Sequence, residues 1–340
     1  MRAVLLTGYG DADTLELGER PTPKPGPRDL RVAVHAASIN PIDTKIRAGA
    51  QRLVIRYKLP HVLGLDVAGT VVEVGGKVTR FKVGDAIMAS LDYKRDGSYA
   101  EEVLVDEGIA ARKPEGLSFE QAAGLPLAGL TAWQALVKTA RMTSGDKVFI
   151  QAGAGGVGHL AIQLAKAMGA EVTTTCSERN REFVTELGAD HVIDYRKEDY
   201  AEVLAAPDSE QDLRQDIVLD SLGYEHRQKS LAVLKPGGAH VSIVSDMPGK
   251  VKQHGPLFGS LRAIGGVARF MLLARLRGYR ASSVLQRPNA DQLAELGKLC
   301  DEGKMSVTVD KTFSLEDLPE AHRASESGRT RGKLIVVVKN

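Results

Sequence analysis

Cysteine is nearly absent from this chain of 340 residues: only Cys176 and Cys300 occur. Two thiols build neither a disulfide framework nor a four-thiolate zinc site, so a reducing compartment is expected. Charge of one sign is also lacking. Lys and Arg number 45 against 43 Asp and Glu, a formal net of +2 that gives no general reason to invoke nucleic acid. No uninterrupted apolar run reaches the length of a membrane span. The opening MRAVLLTGYG has a short apolar run before Asp11 and Asp13, not the long core of a secretory signal. A cytoplasmic protein is expected. With 43% hydrophobic and 26% charged residues, the chain suits two domains of ordinary size, each with its own core.

Glycine, by contrast, falls into a pattern. Lys147 to Gln151 is an apolar run of strand length, followed by Gly153, Gly155 and Gly158 in the spacing G-x-G-x-x-G. A helical stripe at Leu160, Ile162, Leu164, Ala165 and Met168 then ends at Gly169, and Glu171 to Cys176 reads as a second strand. In such a βαβ unit the first glycine makes the tight turn and the second lets backbone approach a pyrophosphate. The third lets the helix lie on the strand, and the helix N-terminus offers free N–H groups to the anion. A dinucleotide is the expected ligand. What is missing at the end of the second strand chooses between dinucleotides. NAD-specific units usually place there an acid that holds the ribose hydroxyls, whereas Cys176 and Ser177 stand here. Glu178 follows, but so do Arg179 and Arg181, whose guanidinium forks suit a 2′-phosphate, and NADPH is favoured over NADH.

Residues 1 to 110 read as a compact β domain, with short runs at Arg2 to Thr7, Leu30 to Ala37, Ala68 to Val74, Ala86 to Ala89 and Ala100 to Val105. A helical pattern follows, with Ser118 as N-cap and Gln121 at capping-box distance. The boundary is expected near residue 124. Beyond it, Val148 to Gln151, Val172 to Cys176, His191 to Asp194, Ile217 to Asp220 and His240 to Val244 alternate with helices, predicting a doubly wound parallel sheet. A sixth strand at Ala281 to Gln286 would form its edge. The tail, VTVDKTFSLED and GKLIVVVK, is assigned back to the β domain. The domains expected are therefore 1–123 with 286–340, and 124–285.

Acid is wholly absent from residues 247 to 290, which carry Lys250, Lys252, Arg262, Arg269, Arg275, Arg277, Arg280 and Arg287. Leu257 to Leu276 is apolar at helical spacing, so the segment reads as one or two amphipathic helices with a basic face. A solvated face beside an acidic neighbour and a peripheral contact with a membrane surface both fit that pattern.

Several further motifs stand in order along nearly the whole chain: ASINPIDTKIRAG (37 to 49), GLDVAGTVVEVGGKVTRFKVGDAI (64 to 87), GSYAEE (97 to 102), LTAWQAL (130 to 136), QAGAGGVG (151 to 158), LGADHVIDY (187 to 195) and RGKLIVVV (331 to 338). Through them the sequence resembles the medium-chain dehydrogenase/reductase superfamily, specifically its zinc-free NADPH:quinone oxidoreductase branch, which includes the zeta-crystallin-like proteins. Within that branch it is most similar to the chloroplast-envelope quinone oxidoreductase homologues, through TCSERN and the longer segment before the sixth strand. The resemblance implies a GroES-like β domain formed by both chain ends and a Rossmann domain between them. At the positions of the superfamily's Cys, His and Cys zinc ligands stand Asn40, Leu65 and Leu127, a set that cannot hold Zn²⁺. Without a Lewis acid to polarise an alkoxide, alcohol oxidation is disfavoured. The implied substrates are quinones and α,β-unsaturated carbonyls, reduced by hydride from NADPH.

The resemblance also implies site residues. Gly153, Gly155, Gly156, Val157 and Gly158 match the pyrophosphate turn; Ser177, Arg179, Asn180 and Tyr195 match the 2′-phosphate region. Ser221, Leu222 and Gly223 match the ribose side, Thr131 and Val244 the nicotinamide side, and Lys333 a family lysine or arginine near the phosphates. Ser177 as a helix cap and Tyr195 as a packed ring are the bland alternatives. On the substrate side stand Asn40, Asp43 and Lys45. Asn40 could donate to a carbonyl oxygen as charge develops, while Asp43 with Lys45 equally fits a structural ion pair. His61 and Tyr93 fit packing roles. The resemblance further implies a homodimer through the edge at Ala281 to Gln286, whose ASSVLQ has no charge or proline to discourage pairing. The competing class is an NADPH-binding module, contacting a membrane surface or a protein, with little turnover.

Overall fold

The computed structural model describes all residues except 51, 53–55, 206–211, 246 and 339–340. The chain divides into two compact units, residues 1–130 with 287–340, and residues 131–286. The first division thus falls later than the expected position near 124. The reason lies in the packing of residues 118–130. Ser118 and Gln121 form the predicted capping box, with Gln121 N–H donating to Ser118 Oγ at 3.2 Å and Ser118 N–H to Gln121 Oε1 at 3.0 Å. The helix so started seats Gly124 where a Cβ would lie 2.7 Å from Val307, and the Leu127 N–H donates to Asp66. All these partners belong to the first unit.

That unit contains strands β1 (Arg2–Leu6), β2 (Leu15–Glu19), β3 (Asp29–Ile39), β4 (His61–Val62), β5 (Asp66–Val74), β6 (Ala86–Ser90), β7 (Glu102–Asp106) and β8 (Ala110–Arg112). Helices α1 (Pro41–Arg47), α2 (Phe119–Gly124) and the start of α3 (Pro126–Trp133) join them. The second unit holds β9 (Lys147–Ile150), β10 (Glu171–Cys176), β11 (His191–Asp194), β12 (Gln215–Asp220), β13 (Leu234–Ser242) and β14 (Arg280–Ser283). Between them run α4 (Gly158–Ala167), α5 (Arg181–Glu186), α6 (Tyr200–Leu204), α7 (His226–Ala232), α8 (Met247–His254) and α9 (Pro256–Leu276). The tail returns to the first unit as α10 (Ala290–Asp301), β15 (Val309–Ser314), α11 (Leu318–Glu326) and β16 (Lys333–Val337).

β3 is the spine of the first unit because its DLRVAVHAASI run is buried at almost every position. It pairs antiparallel with β5, β7 and β16, in a sheet ordered β15-β16-β3-β5-β6-β8 with β7 added on β3. The apolar LIVV of β16 enters that core with Leu334 opposite Ile39. This register brings Lys333 beside Asn40, two residues far apart in sequence.

The second unit is one sheet of parallel strands in the order β11-β10-β9-β12-β13-β14. Its apolar strands are covered on both faces, as parallel strands require. β14 is the edge, as expected, but it is shorter than Ala281 to Gln286, ending at Ser283. Gly255, at φ +75°, and Pro256 split the basic segment into α8 and α9.

Candidate active site

In a doubly wound sheet, ligands bind beyond the carboxyl ends of the strands, at the point where strand order reverses. Apart from Lys333, the residues expected at the cofactor lie in the second unit, most of them just beyond its strand ends. Read across the sheet, Tyr195 follows β11, Ser177 follows β10, the glycine turn follows β9, Ser221 to Gly223 follow β12 and Val244 lies just beyond β13. Thr131, in α3, is buried at the start of the same unit.

The glycines divide the labour differently from expectation. The left-handed turn is made by Ala152, at φ +54°, and not by Gly153. Gly153 is needed because a Cβ there would lie 2.1 Å from Thr174 Oγ1, on the neighbouring strand. At Gly158 a Cβ would lie 2.3 Å from the Ala152 carbonyl oxygen and 2.8 Å from Gly153 Cα, so only glycine lets α4 begin against the turn. Gly155 differs from both. Its Cβ would meet nothing closer than the Ala152 carbonyl at 3.3 Å, leaving the space above the backbone open. With Gly156 and Val157 leading into α4, the turn is a cradle of backbone N–H groups that fits a pyrophosphate.

At the adenosine end, Glu178 is the carboxylate nearest the end of β10, and it is already taken. Arg181 Nε donates to its Oε1 at 2.9 Å and Lys197 Nζ to its Oε2 at 3.1 Å. These two cations hold the Glu178 carboxyl below the ordinary range, Lys197 first. Arg181 also donates to the Val192 carbonyl at 2.9 Å, so this arginine, expected at a 2′-phosphate, is spent on structure. Arg179 is exposed on the turn after Ser177, next to Asn180. Ser177 makes no capping bond with its side chain, and Tyr195 is 58% exposed, so neither plays the bland role open to it. Arg196, which stacks 5.8 Å over the Tyr195 ring, and Lys197 were not anticipated from sequence, although both lie within two residues of Tyr195. After β12, Asp220 Oδ1 accepts from the Leu222 and Gly223 N–H groups at 3.0 and 2.6 Å, shaping that loop. Ser221 Oγ is buried there without a protein partner among the described residues.

In the first unit the expected catalytic loop is built around a residue that sequence reasoning missed, Asp66. This fully buried carboxylate accepts from Ser38 Oγ at 2.6 Å, Asn40 Nδ2 at 2.8 Å and the Leu127 N–H at 2.8 Å, with Lys333 Nζ 3.7 Å away. Lys333, only 2% exposed, donates to Asn40 Oδ1 at 2.6 Å. That is where the structure puts the lysine expected near the phosphates: β16 pairs with β3 and carries it inward. Asn40 is thus engaged at both ends of its amide, with one Nδ2 hydrogen left. Its backbone N–H donates to Asp43 Oδ2 at 2.8 Å, starting α1. Asp43 is buried beside this group and not paired with Lys45; its nearby cation is Lys333. Lys45 is half-buried, and burial lowers its ammonium pKa. His61 stacks on Tyr57 at 3.7 Å with Nδ1 3.0 Å from Asp96, a packing role.

Two family models match the chain, one described as an alcohol dehydrogenase GroES-like domain, over residues 26–115, and one as a zinc-binding dehydrogenase, over residues 187–336. A chloroplast envelope quinone oxidoreductase homolog of Arabidopsis thaliana is 33% identical over 342 residues, covering 99% of this chain and 98% of its own. The solved quinone oxidoreductase of Coxiella burnetii is 36% identical with a TM-score of 0.85, over 100% of this chain and 99% of that one. The chain belongs to the zinc-free quinone oxidoreductase branch of the medium-chain dehydrogenase/reductase superfamily. It is an oxidoreductase of GroES-like and Rossmann domains that works with a nicotinamide cofactor. Another solved member, the Escherichia coli quinone oxidoreductase complexed with NADPH, is 28% identical with a TM-score of 0.82, over 99% of this chain and 100% of that one.

The zinc in the name of one family model does not fit this chain. Leu65 and Leu127 offer no side-chain donor atom, and the Asn40 amide is already bonded to Asp66 and Lys333. Among the described residues no group of three His, Cys, Asp or Glu side chains is placed to hold a metal. The same three positions are instead tied together by hydrogen bonds: Asn40 by its side chain, Leu127 by its backbone, and Leu65 through its neighbour Asp66.

Two buried carboxylates share one lysine in this cluster, and burial sets the protonation of one of them. Burial pushes Asp43 up to about 7, with Asp66 adding to the rise and the Asn40 N–H opposing it. The folded protein then binds a proton between its ordinary value of 3.8 and about 7 that the unfolded chain releases. Stability from this group is full below that window and falls as pH rises through it, by on the order of a few kcal/mol. Asp43→Asn is expected to flatten the slope, read from urea unfolding at pH 5 and pH 8. An unchanged slope would assign the proton elsewhere.

Proposed function

We propose that this protein reduces quinones and α,β-unsaturated carbonyls with NADPH. The observation that carries the reading is the fate of the three zinc-ligand positions. They are occupied by an amide and two leucines bound into the Asp66–Lys333 network, so an alkoxide would find no Lewis acid. Acceptors that are already electron-poor need none. When bound, the dinucleotide supplies a hydride; the chain's own residues hold it and orient it. The turn from Gly153 to Gly158 would receive the pyrophosphate, with Ser221 on the ribose side and Thr131 and Val244 on the nicotinamide side. On the substrate side, the remaining Asn40 N–H is a donor fixed by Lys333 and Asp66, suited to a carbonyl oxygen that gains charge. Steady-state NADPH oxidation against a panel of small quinones and enones tests the reading. Saturable NADPH binding with no turnover on any of them would favour a binding module instead.

For the cofactor, the neutralised Glu178 and the exposed Arg179 support NADPH over NADH. NADPH is expected to bind at least about tenfold tighter, roughly 1.4 kcal/mol. Arg179→Ala should erase most of the difference. Titration giving equal dissociation constants for the two cofactors would refute the assignment.

A homodimer through the β14 edge is part of the same proposal, but the structure changes its test. The Val284 N–H donates inward to the Ser242 carbonyl at 2.9 Å, so Val284→Pro would damage the sheet itself. Alternation along the strand turns the Ser283 N–H outward. Ser283→Pro is therefore expected to shift a dimer to monomer at micromolar concentration by light scattering, with little change in melting temperature. A dimer indifferent to Ser283→Pro would place the interface elsewhere.

A further inference from the structure

The helix α9 is apolar on two opposite sides, and only one of them is used by the fold. On the inner side, Phe270 meets His240 edge-on at 5.0 Å and Ala274 is fully buried in the core that contains Phe149 and Val218. On the outer side, Phe258, Leu261, Ile264, Leu272 and Leu276 are 59 to 74% exposed. At about 100° per residue these five fall within an arc of about 120° that runs the length of the helix. Arg262 and Arg269 lie just outside one margin of the arc, and Arg275 lies about 20° inside the other.

No acid occurs from 247 to 290, and no ion pair to a carboxylate is seen for these three arginines among the described residues. Arg262 instead lies 2.9 Å from His254 Nε2 on α8. We propose that this face of α9 docks the protein on anionic lipid bilayers, lying flat with its aliphatic side chains among the upper acyl chains and its arginines level with the headgroups. Charge decides between occupants. A second copy packed isologously across the stripe would set arginine rows against arginine rows with no acid to separate them, whereas an anionic surface complements every charge on the face. The 21 residues of α9 span about 30 Å along the surface. The helix lies on the membrane and does not cross it: no described helix is long and apolar enough to span one.

The test is co-sedimentation of the full chain with phosphatidylcholine vesicles, with or without phosphatidylglycerol at about one lipid in three. Binding is expected to the anionic vesicles and at least about tenfold weaker to the neutral ones. Leu261→Glu with Leu272→Glu, and separately Arg262→Glu with Arg269→Glu, should each lower binding at least about tenfold. Both pairs are on the surface, so melting temperature and NADPH oxidation with a soluble quinone should stay at wild-type values. The proposal is overturned if the wild-type chain does not sediment with anionic vesicles, or if binding survives the leucine substitutions, which would mark adsorption by charge alone. It is also overturned if light scattering shows that the leucine substitutions dissociate an oligomer, which would give the stripe to a second copy.

Discussion

Gly158→Ala is expected to destabilise the protein by about 2–3 kcal/mol and to abolish measurable nicotinamide cofactor binding, whereas Gly155→Ala should lose only the binding. The added methyl at 158 would lie 2.3 Å from the Ala152 oxygen and 2.8 Å from Gly153 Cα. Both are backbone atoms of a turn already held at φ +54°, and neither has a side chain's freedom to move aside. The start of α4 must shift, and with it the N–H groups aimed at the anion. At 155 the methyl meets the Ala152 oxygen at 3.3 Å, a contact relieved by a few tenths of an ångström. The fold should therefore hold to within about 0.5 kcal/mol. The methyl nevertheless occupies the open space where a pyrophosphate would approach, and a loss of at least about a hundredfold in affinity, roughly 2.7 kcal/mol, is expected. Thermal melts with and without NADPH separate the two effects, because stabilisation by ligand disappears when binding does. Wild-type NADPH affinity in Gly155→Ala would show that the phosphates lie elsewhere.

That pair of variants also marks how far the sequence could be read. The G-x-G-x-x-G spacing sits between a strand and a helix, and all the information needed to recognise it is local: strand length, helical period and glycine positions. The Ser118–Gln121 box is legible for the same reason. The left-handed Ala152 is not. Alanine carries no sequence signal for positive φ, and it adopts that conformation because Gly153 and Gly158 must pass close by.

Asp66 was invisible for a different reason. Its partners Ser38, Asn40, Leu127 and Lys333 come from separate stretches, joined only by the pairing of β3 with β5 and β16. Nothing near Leu65 in the sequence distinguishes a carboxylate that organises a core from one in solvent. Lys333 was expected near the phosphates, since a lysine before five apolar residues gives no sign of the inward register that Leu334 and Ile39 set. The domain boundary likewise moved to residue 131 through contacts of residues 124–130 that only the folded chain reveals.

Lys333→Met is expected to cost about 3–5 kcal/mol of stability, a large share of what holds an ordinary domain together. Burial lowers the pKa of this ammonium, opposed by Asp66 and Asp43, yet it is the cation that those two buried carboxylates share. Methionine fills a similar volume and leaves Asp66 with its three neutral donors but no counter-charge. The cost should depend on pH in a defined sense. Burial already pushes Asp43 up to about 7, and losing the lysine raises it further, so at pH 5 a neutral Asp43 carboxyl relieves much of the damage that is present in full at pH 8. Lys333→Met is accordingly expected to be worse at pH 8 than at pH 5 in urea unfolding. Adding Asp66→Asn, which removes one charge while keeping an acceptor, should recover part of the loss, a coupling that two independent packing defects would not show. A loss equal at both pH values and additive with Asp66→Asn would mean that Lys333 serves by filling space, and that Asn40 is held by its neighbours without it.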